Sequence, residues 1–98
     1  MKKFSDSIKI GCHKYEVEHK ETVLIKGEEV FGKIDMSEDT ITICSELSDE
    51  RSFGTLIHEI VHGILDEIGN PFAKLMDEER FVKPFANVLS QVLKDNEL

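Results

Sequence analysis

The residues with the clearest chemical potential are His58-Glu59-Ile60-Val61-His62. On a helix, positions i and i+4 lie one above the other on the same face. Two imidazoles at that spacing can both reach one zinc ion at about 2.0–2.1 Å. Glu59 is rotated from His58 by about 100° around the helix axis. It therefore stands beside the ion, not on it, where it can take a proton from a water held by the metal. This is the mechanical content of an HExxH motif, and the chemistry it points to is metal-assisted hydrolysis. The plainer alternative is two histidines on an amphipathic helix, one of them paired with Glu59.

A zinc site of this kind needs at least a third protein ligand. No histidine follows His62, so a downstream His ligand is excluded and a carboxylate must serve. Asp66 is four residues beyond His62, near 80° on a helical wheel that starts at His58. A third ligand on the same helix gives poor tetrahedral geometry, so Asp66 is better suited to orienting a histidine from behind. Asp77, Glu78 and Glu79 open the next helical segment, which a short connection would fold back beside the first. Acids are also ordinary residues in a first helical turn.

The elements that must position these groups can be read from pattern. Residues 8–44 carry strand signals. Ile8 and Ile10 alternate with Lys9, and Tyr15 and Val17 alternate with Glu16 and Glu18, with a hairpin expected near 11–14. Val23-Leu24-Ile25 is a short apolar run ending in a turn-like stretch at Lys26-Gly27-Glu28-Glu29. Val30-Phe31-Gly32-Lys33-Ile34 is a further strand candidate. Met36-Ser37-Glu38-Asp39 reads as a turn, and Thr40-Ile41-Thr42-Ile43-Cys44 as a strand of mostly β-branched residues. Together they suggest a small antiparallel sheet of three or four strands.

Ser48 is a good N-cap for the motif helix, and Asp49 and Glu50 suit the positive end of its dipole. Phe53, Ile57, Ile60, Ile64 and Ile68 form its expected apolar stripe. Gly69-Asn70-Pro71 ends it. His58 and His62 then fall at the edge of the apolar face, half-sheltered and turned toward a second element. A second helix is expected over about 77–94, with Phe81, Phe85, Val88, Leu89, Val92 and Leu93 as its apolar side and Pro84 interrupting it. Strands followed by helices predict an α+β fold in one domain spanning 1–98.

Composition narrows the function classes. The chain has 98 residues, 40 % apolar, a formal charge of −8 and a pI near 4.9. An acidic chain without a Lys/Arg block is a poor partner for nucleic acid or an anionic membrane. No apolar stretch approaches the roughly 20 residues needed to span a bilayer. Met1-Lys2-Lys3 is followed by Phe4-Ser5-Asp6-Ser7, not by an apolar segment, so no signal peptide is expected and the cytoplasm is the expected location. Cys12 and Cys44 are then expected to be reduced and buried as small hydrophobes. The Cys12-His13 pair has no partner spacing elsewhere that would mark a second metal site.

Several runs resemble the small phage and prophage zincin-like metallopeptidases, distant kin of the ImmA/IrrE family. They are Thr55-Leu56-Ile57-His58-Glu59-Ile60-Val61-His62-Gly63-Ile64-Leu65, then Glu79-Arg80-Phe81-Val82, Phe85-Ala86-Asn87-Val88-Leu89 and Leu93-Lys94-Asp95-Asn96. The resemblance covers about residues 40–96. It implies Zn²⁺ held by His58, His62 and Glu79, with Glu78 as the neighbouring alternative and Glu59 as the catalytic base. It also implies an edge strand that pairs with an extended peptide, a role matched by residues 40–44. Many zincins add a Tyr, His or Arg opposite the metal. Tyr15 and His13 are the nearest candidates here, and neither matches a motif. The expected activity is peptide-bond hydrolysis, with a protein or peptide substrate such as a cytoplasmic regulatory protein. The alternative is a zinc-stabilised phage accessory protein without turnover.

Overall fold

A computed structural model describes residues 7–98. The signal-peptide expectation concerns residues 1–6 and lies outside the described residues. β1 (Ser7–Ile10) and β2 (His13–Lys20) form an antiparallel hairpin with Gly11 at φ +60° in its turn. The chain then leaves the sheet for a separate two-stranded hairpin, β3 (Val23–Ile25) and β4 (Glu28–Val30), turning at Lys26 and Gly27 with φ of 52° and 82°. It returns through β5 (Gly32–Asp35) and β6 (Thr40–Cys44), which are antiparallel. In the turn between them, Asp35 Oδ1 accepts from the Ser37 and Glu38 amides at 3.0 and 3.1 Å.

The main sheet has the order β1-β2-β6-β5, and β2 pairs with β6 in parallel. The expected antiparallel sheet is thus a mixed one. β5 starts level with the end of β2 and runs back toward its beginning, Gly32 beside Ile43 and Asp35 beside Thr40, so β6 can then pair with β2 in parallel. Residues 40–44, expected at the edge, form an inner strand, with Ile41 and Ile43 wholly buried. The edge beside the motif helix is β5. The strand candidate over 30–34 divides at Phe31, and Glu28 and Glu29, expected in a turn, belong to β4.

The helix α1 (Asp49–Ile68) begins at Ser48, whose hydroxyl accepts from the Arg51 amide at 3.2 Å. It ends at Gly69, in the left-handed region at φ 82°, where a side chain would be strained. The helix α2 (Glu78–Asp95) lies antiparallel to it. Lys94 near the end of α2 meets Glu50 near the start of α1 at 3.0 Å, while the start of α2 meets His58 and His62.

α1 is apolar on two faces, not one. Leu56 packs with Ile10, Tyr15, Ile41 and Ile43 of the sheet. Ile57, Val61 and Leu65 pack with Val82 and Ala86 of α2. Ile60 touches both clusters. Of the expected stripe, Ile64 and Ile68 remain 43 % and 61 % exposed. They share the wheel direction of Ile57 but lie further along α1, past the level of His58 and His62 at which α2 begins. On α2 the inward stripe runs through Val82, Ala86, Leu89 and Leu93, and Phe85, Val88 and Val92 are exposed. Pro84 does not interrupt α2. Pro84 and Arg80 are both exposed, so water can serve the Arg80 carbonyl that a proline nitrogen cannot. Tyr15 is fully buried, Cys12 is exposed and Cys44 is partly buried, so the expectation of two buried thiols fails at Cys12.

Candidate metal centre

The two packed faces of α1 leave a third between them, and this face carries the motif. His58 and His62 are one turn apart, with ring centroids 5.0 Å apart. Gly63 sets how closely this part of α1 approaches the sheet. A Cβ at Gly63 would lie 2.8 Å from Ile10 Cδ1 and 3.1 Å from Ile34 Cδ1. Larger residues there would push the motif away from β5.

The other half of the site comes from α2. Asn70, at φ 35°, turns the chain after α1, and its Oδ1 accepts from the Phe72 amide at 3.0 Å. Its Nδ2 donates to Glu78 Oε2 at 2.9 Å, which fixes the first turn of α2. Glu78 Oε1 lies 2.6 Å from His62 Nδ1. Glu79 Oε1 lies 3.0 Å from His58 Nε2 and also contacts His62 Nε2. Donor atoms of His58, His62 and Glu79 all fall within 4.8 Å of one another.

This donor set fits a divalent cation. A neutral imidazole has one N–H, yet both ring nitrogens of His62 face carboxylate oxygens. A protonated ring, or a cation between Nε2 and Glu79, satisfies both contacts. Burial disfavours the charged form of His62, but hydrogen bonds to Glu78 and Glu79 and the charges of Glu59 and Glu79 outweigh it, and its pKa is raised. For Glu79, burial works toward a higher pKa, but the charge of His58 and the hydrogen bonds to both histidines hold the carboxyl below its ordinary range. Two imidazoles and one carboxylate suit zinc, with room for a further ligand.

Glu59 is 7 % exposed and is not part of this donor set. Burial is the main influence on it. With a smaller upward push from Glu79, partly offset by His62, it raises the Glu59 pKa to about 7. A carboxyl poised there can take up and release a proton near neutrality.

The site opens into a cleft of about 790 Å³. β5 forms one wall with Gly32, Lys33 and Ile34, and α2 forms another with Glu79, Lys83 and Asn87. Arg51 reaches the same cleft, with its guanidinium carbon 5.6 Å from the centroid of the Phe31 ring.

His58, Glu59, His62 and Glu79, picked out in the sequence, come together here. Glu78, the neighbouring alternative to Glu79, contacts the Nδ1 side of the His62 ring, whereas Glu79 contacts His58 Nε2 and His62 Nε2. Asp66 is exposed and takes no part, and Asp77 is the N-cap residue of α2 outside the site. Tyr15 lies in the core, and His13 Nδ1 pairs with Asp39 at 3.1 Å, so neither lines the cleft. Arg51, Asn70, Lys83 and Asn87 escaped the sequence reading. Lys83 and Asn87 follow Glu79 at i+4 and i+8, a spacing that places them on its face. Comparison with protein-family models, curated proteins and solved structures finds no match.

Proposed function

We propose that this chain is a zinc-dependent peptidase whose metal is held by His58, His62 and Glu79. The observation that carries the reading is the convergence of these three side chains beside a buried Glu59 at the floor of an open cleft. Bound there, zinc would polarise the scissile carbonyl and acidify the attacking water. Glu59 would accept a proton from that water on its carboxylate and deliver it to the leaving amine. A nearby divalent charge lowers a carboxyl pKa, so Glu59 would be ionised and ready as a base when the site is loaded. Glu78 keeps His62 in one tautomer and one orientation.

The exposed edge of β5 suits an extended peptide, which would add backbone hydrogen bonds along Gly32–Asp35 and lie across the cleft. Arg51 and Lys83 supply positive charge in that cleft and are the candidates for steadying a developing oxyanion. The resemblance to small phage and prophage metallopeptidases adds a target class, a regulatory protein of the cytoplasm. Among the described residues no helix is long and apolar enough to cross a membrane.

The test is to incubate the zinc-loaded protein with a peptide library and read products by mass spectrometry. Cleavage should appear, vanish on chelation and return with zinc. Cleavage that persists undiminished after complete removal of the metal would refute the reading.

A further inference from the structure

At the far end of α1 a second cluster of ligand-type side chains forms where the β1–β2 turn meets the helix. Donor atoms of Cys12, His13 and Glu67 all lie within 4.8 Å of one another. The carboxylate lies over the turn: a Cβ on Gly11 would sit 2.3 Å from the Glu67 carboxyl carbon and within 2.7 Å of both its oxygens, so Glu67 occupies the space left by the missing side chain. Asp39 Oδ1 lies 3.1 Å from His13 Nδ1 and steadies the ring from a third segment. Such a carboxylate–histidine pairing commonly supports metal ligands.

We infer that Cys12, His13 and Glu67 form a second transition-metal site, distinct from the HExxH centre. A thiolate and a carboxylate balance the charge of a divalent ion, and Cys12 surrenders its proton to solvent on binding. The S, N, O donor set favours zinc or cobalt over calcium or magnesium, which prefer oxygen alone. Ligand bonds of about 2.0–2.3 Å place tetrahedral donors roughly 3.3–3.8 Å apart, so a closure of about 1 Å completes the set. Cys12 and Glu67 are exposed, which leaves a coordination position for water and makes the ion exchangeable. Bound metal there ties the hairpin turn to the last turn of α1.

Cobalt titration of the full chain, under a non-thiol reductant, tests this directly. The HExxH centre contains no sulfur, so a near-ultraviolet thiolate-to-cobalt charge-transfer band reports on the second site alone. The band should appear with a second equivalent of cobalt. Cys12→Ala should abolish it and Glu67→Gln should weaken cobalt binding there by at least tenfold. Cys44→Ala should retain it, since the Cys44 thiol instead donates to the Glu21 carbonyl at 3.3 Å. His58→Ala should also retain it while losing the other equivalent, so failure of the proposed active centre is distinguishable from failure here. Absence of the band overturns the inference, as does a band that survives Cys12→Ala. A band per chain that grows with protein concentration also overturns it, by showing that the thiol bridges two molecules.

Discussion

Glu78 holds His62 from behind, Oε1 to Nδ1 at 2.6 Å, and so aims the opposite nitrogen of the ring at Glu79. Two adjacent acids in one helical turn thus make different contacts, Glu79 with both histidines and Glu78 with His62 alone. The sequence alone gives Glu78 only the small helix-dipole benefit of an exposed first-turn carboxylate, about 0.3–1 kcal/mol. Its contact with His62 gives it more. Glu79→Gln should lower zinc affinity by at least tenfold, because an amide is a weak ligand. Glu78→Ala should cost about 10–100-fold, the usual range for lost outer-shell partners. Glu78→Gln keeps an acceptor oxygen and should fall closer to wild type. Zinc retention against a graded chelator ranks the three. A larger loss for Glu78→Gln than for Glu79→Gln would reverse the assignment.

The metal-free protein should lose stability as pH rises from about 5 to 8. Glu59 has a folded pKa of about 7, above its ordinary 4.5, so between these values the folded state holds a proton that the unfolded state has released. Stability then falls with rising pH, by on the order of 3 kcal/mol from Glu59 alone. His62, with its raised pKa, acts in the same direction as pH passes through its folded value. Glu79, with its lowered pKa, contributes stability that is present above 4.5 and lost only in more acidic solution. Glu59→Gln should flatten the decline, read from urea unfolding at several pH values in chelator. An unchanged slope in the variant would show that Glu59 is not the titrating group.

Ser52 is fully buried on the sheet side of α1, and its hydroxyl has no hydrogen-bond partner. A buried polar group left unsatisfied costs about 1–3 kcal/mol, and alanine is also the better helix former. Ser52→Ala should therefore raise stability by about 1 kcal/mol in denaturant unfolding, with zinc content unchanged. Destabilisation of that size would mean the hydroxyl is engaged in solution.

Gly63→Ala sets two effects against each other. Alanine is favoured in a helix by about 0.8–1 kcal/mol, whereas crowding in a packed interface costs about 1–3 kcal/mol. The near contacts with Ile10 and Ile34 should make crowding the larger, for a net loss of about 1 kcal/mol. Ile10→Val removes the nearest methyl, so the double variant should recover most of that loss. Strict additivity in the four-member cycle would contradict the contact.

How much of this was legible in the sequence follows from what each element depends on. The motif helix, its cap at Ser48 and its stop at Gly69 are local signals, and they hold. The meeting of His58, Glu59, His62 and Glu79 was legible because their spacing is a property of one helix or of a resemblance. The parallel pairing of β2 with β6 was not, because pairing across some twenty residues leaves no periodic trace. A strand buried on both sides, such as residues 40–44, does not announce whether it is central or at an edge. Ile64 and Ile68 read as core because helical spacing cannot say where a neighbouring helix stops covering. The support of His62 by Glu78, and of Glu78 by Asn70, arises only when the connection folds back.

The most direct test of the account compares wild type with Glu59→Gln, each given one equivalent of zinc, the share of the catalytic centre apart from the Cys12 site. Both are incubated with the same peptide library, and cleavage rate is measured at matched metal content. Glu59 is buried beside the donor set and is not among its members, so the amide should leave zinc binding near wild type. Wild type should cleave, and the variant should be slower by at least 10²-fold, the lower end of a general base's contribution. Equal cleavage by the two proteins, or no cleavage by fully zinc-loaded wild type across the library, would contradict the account.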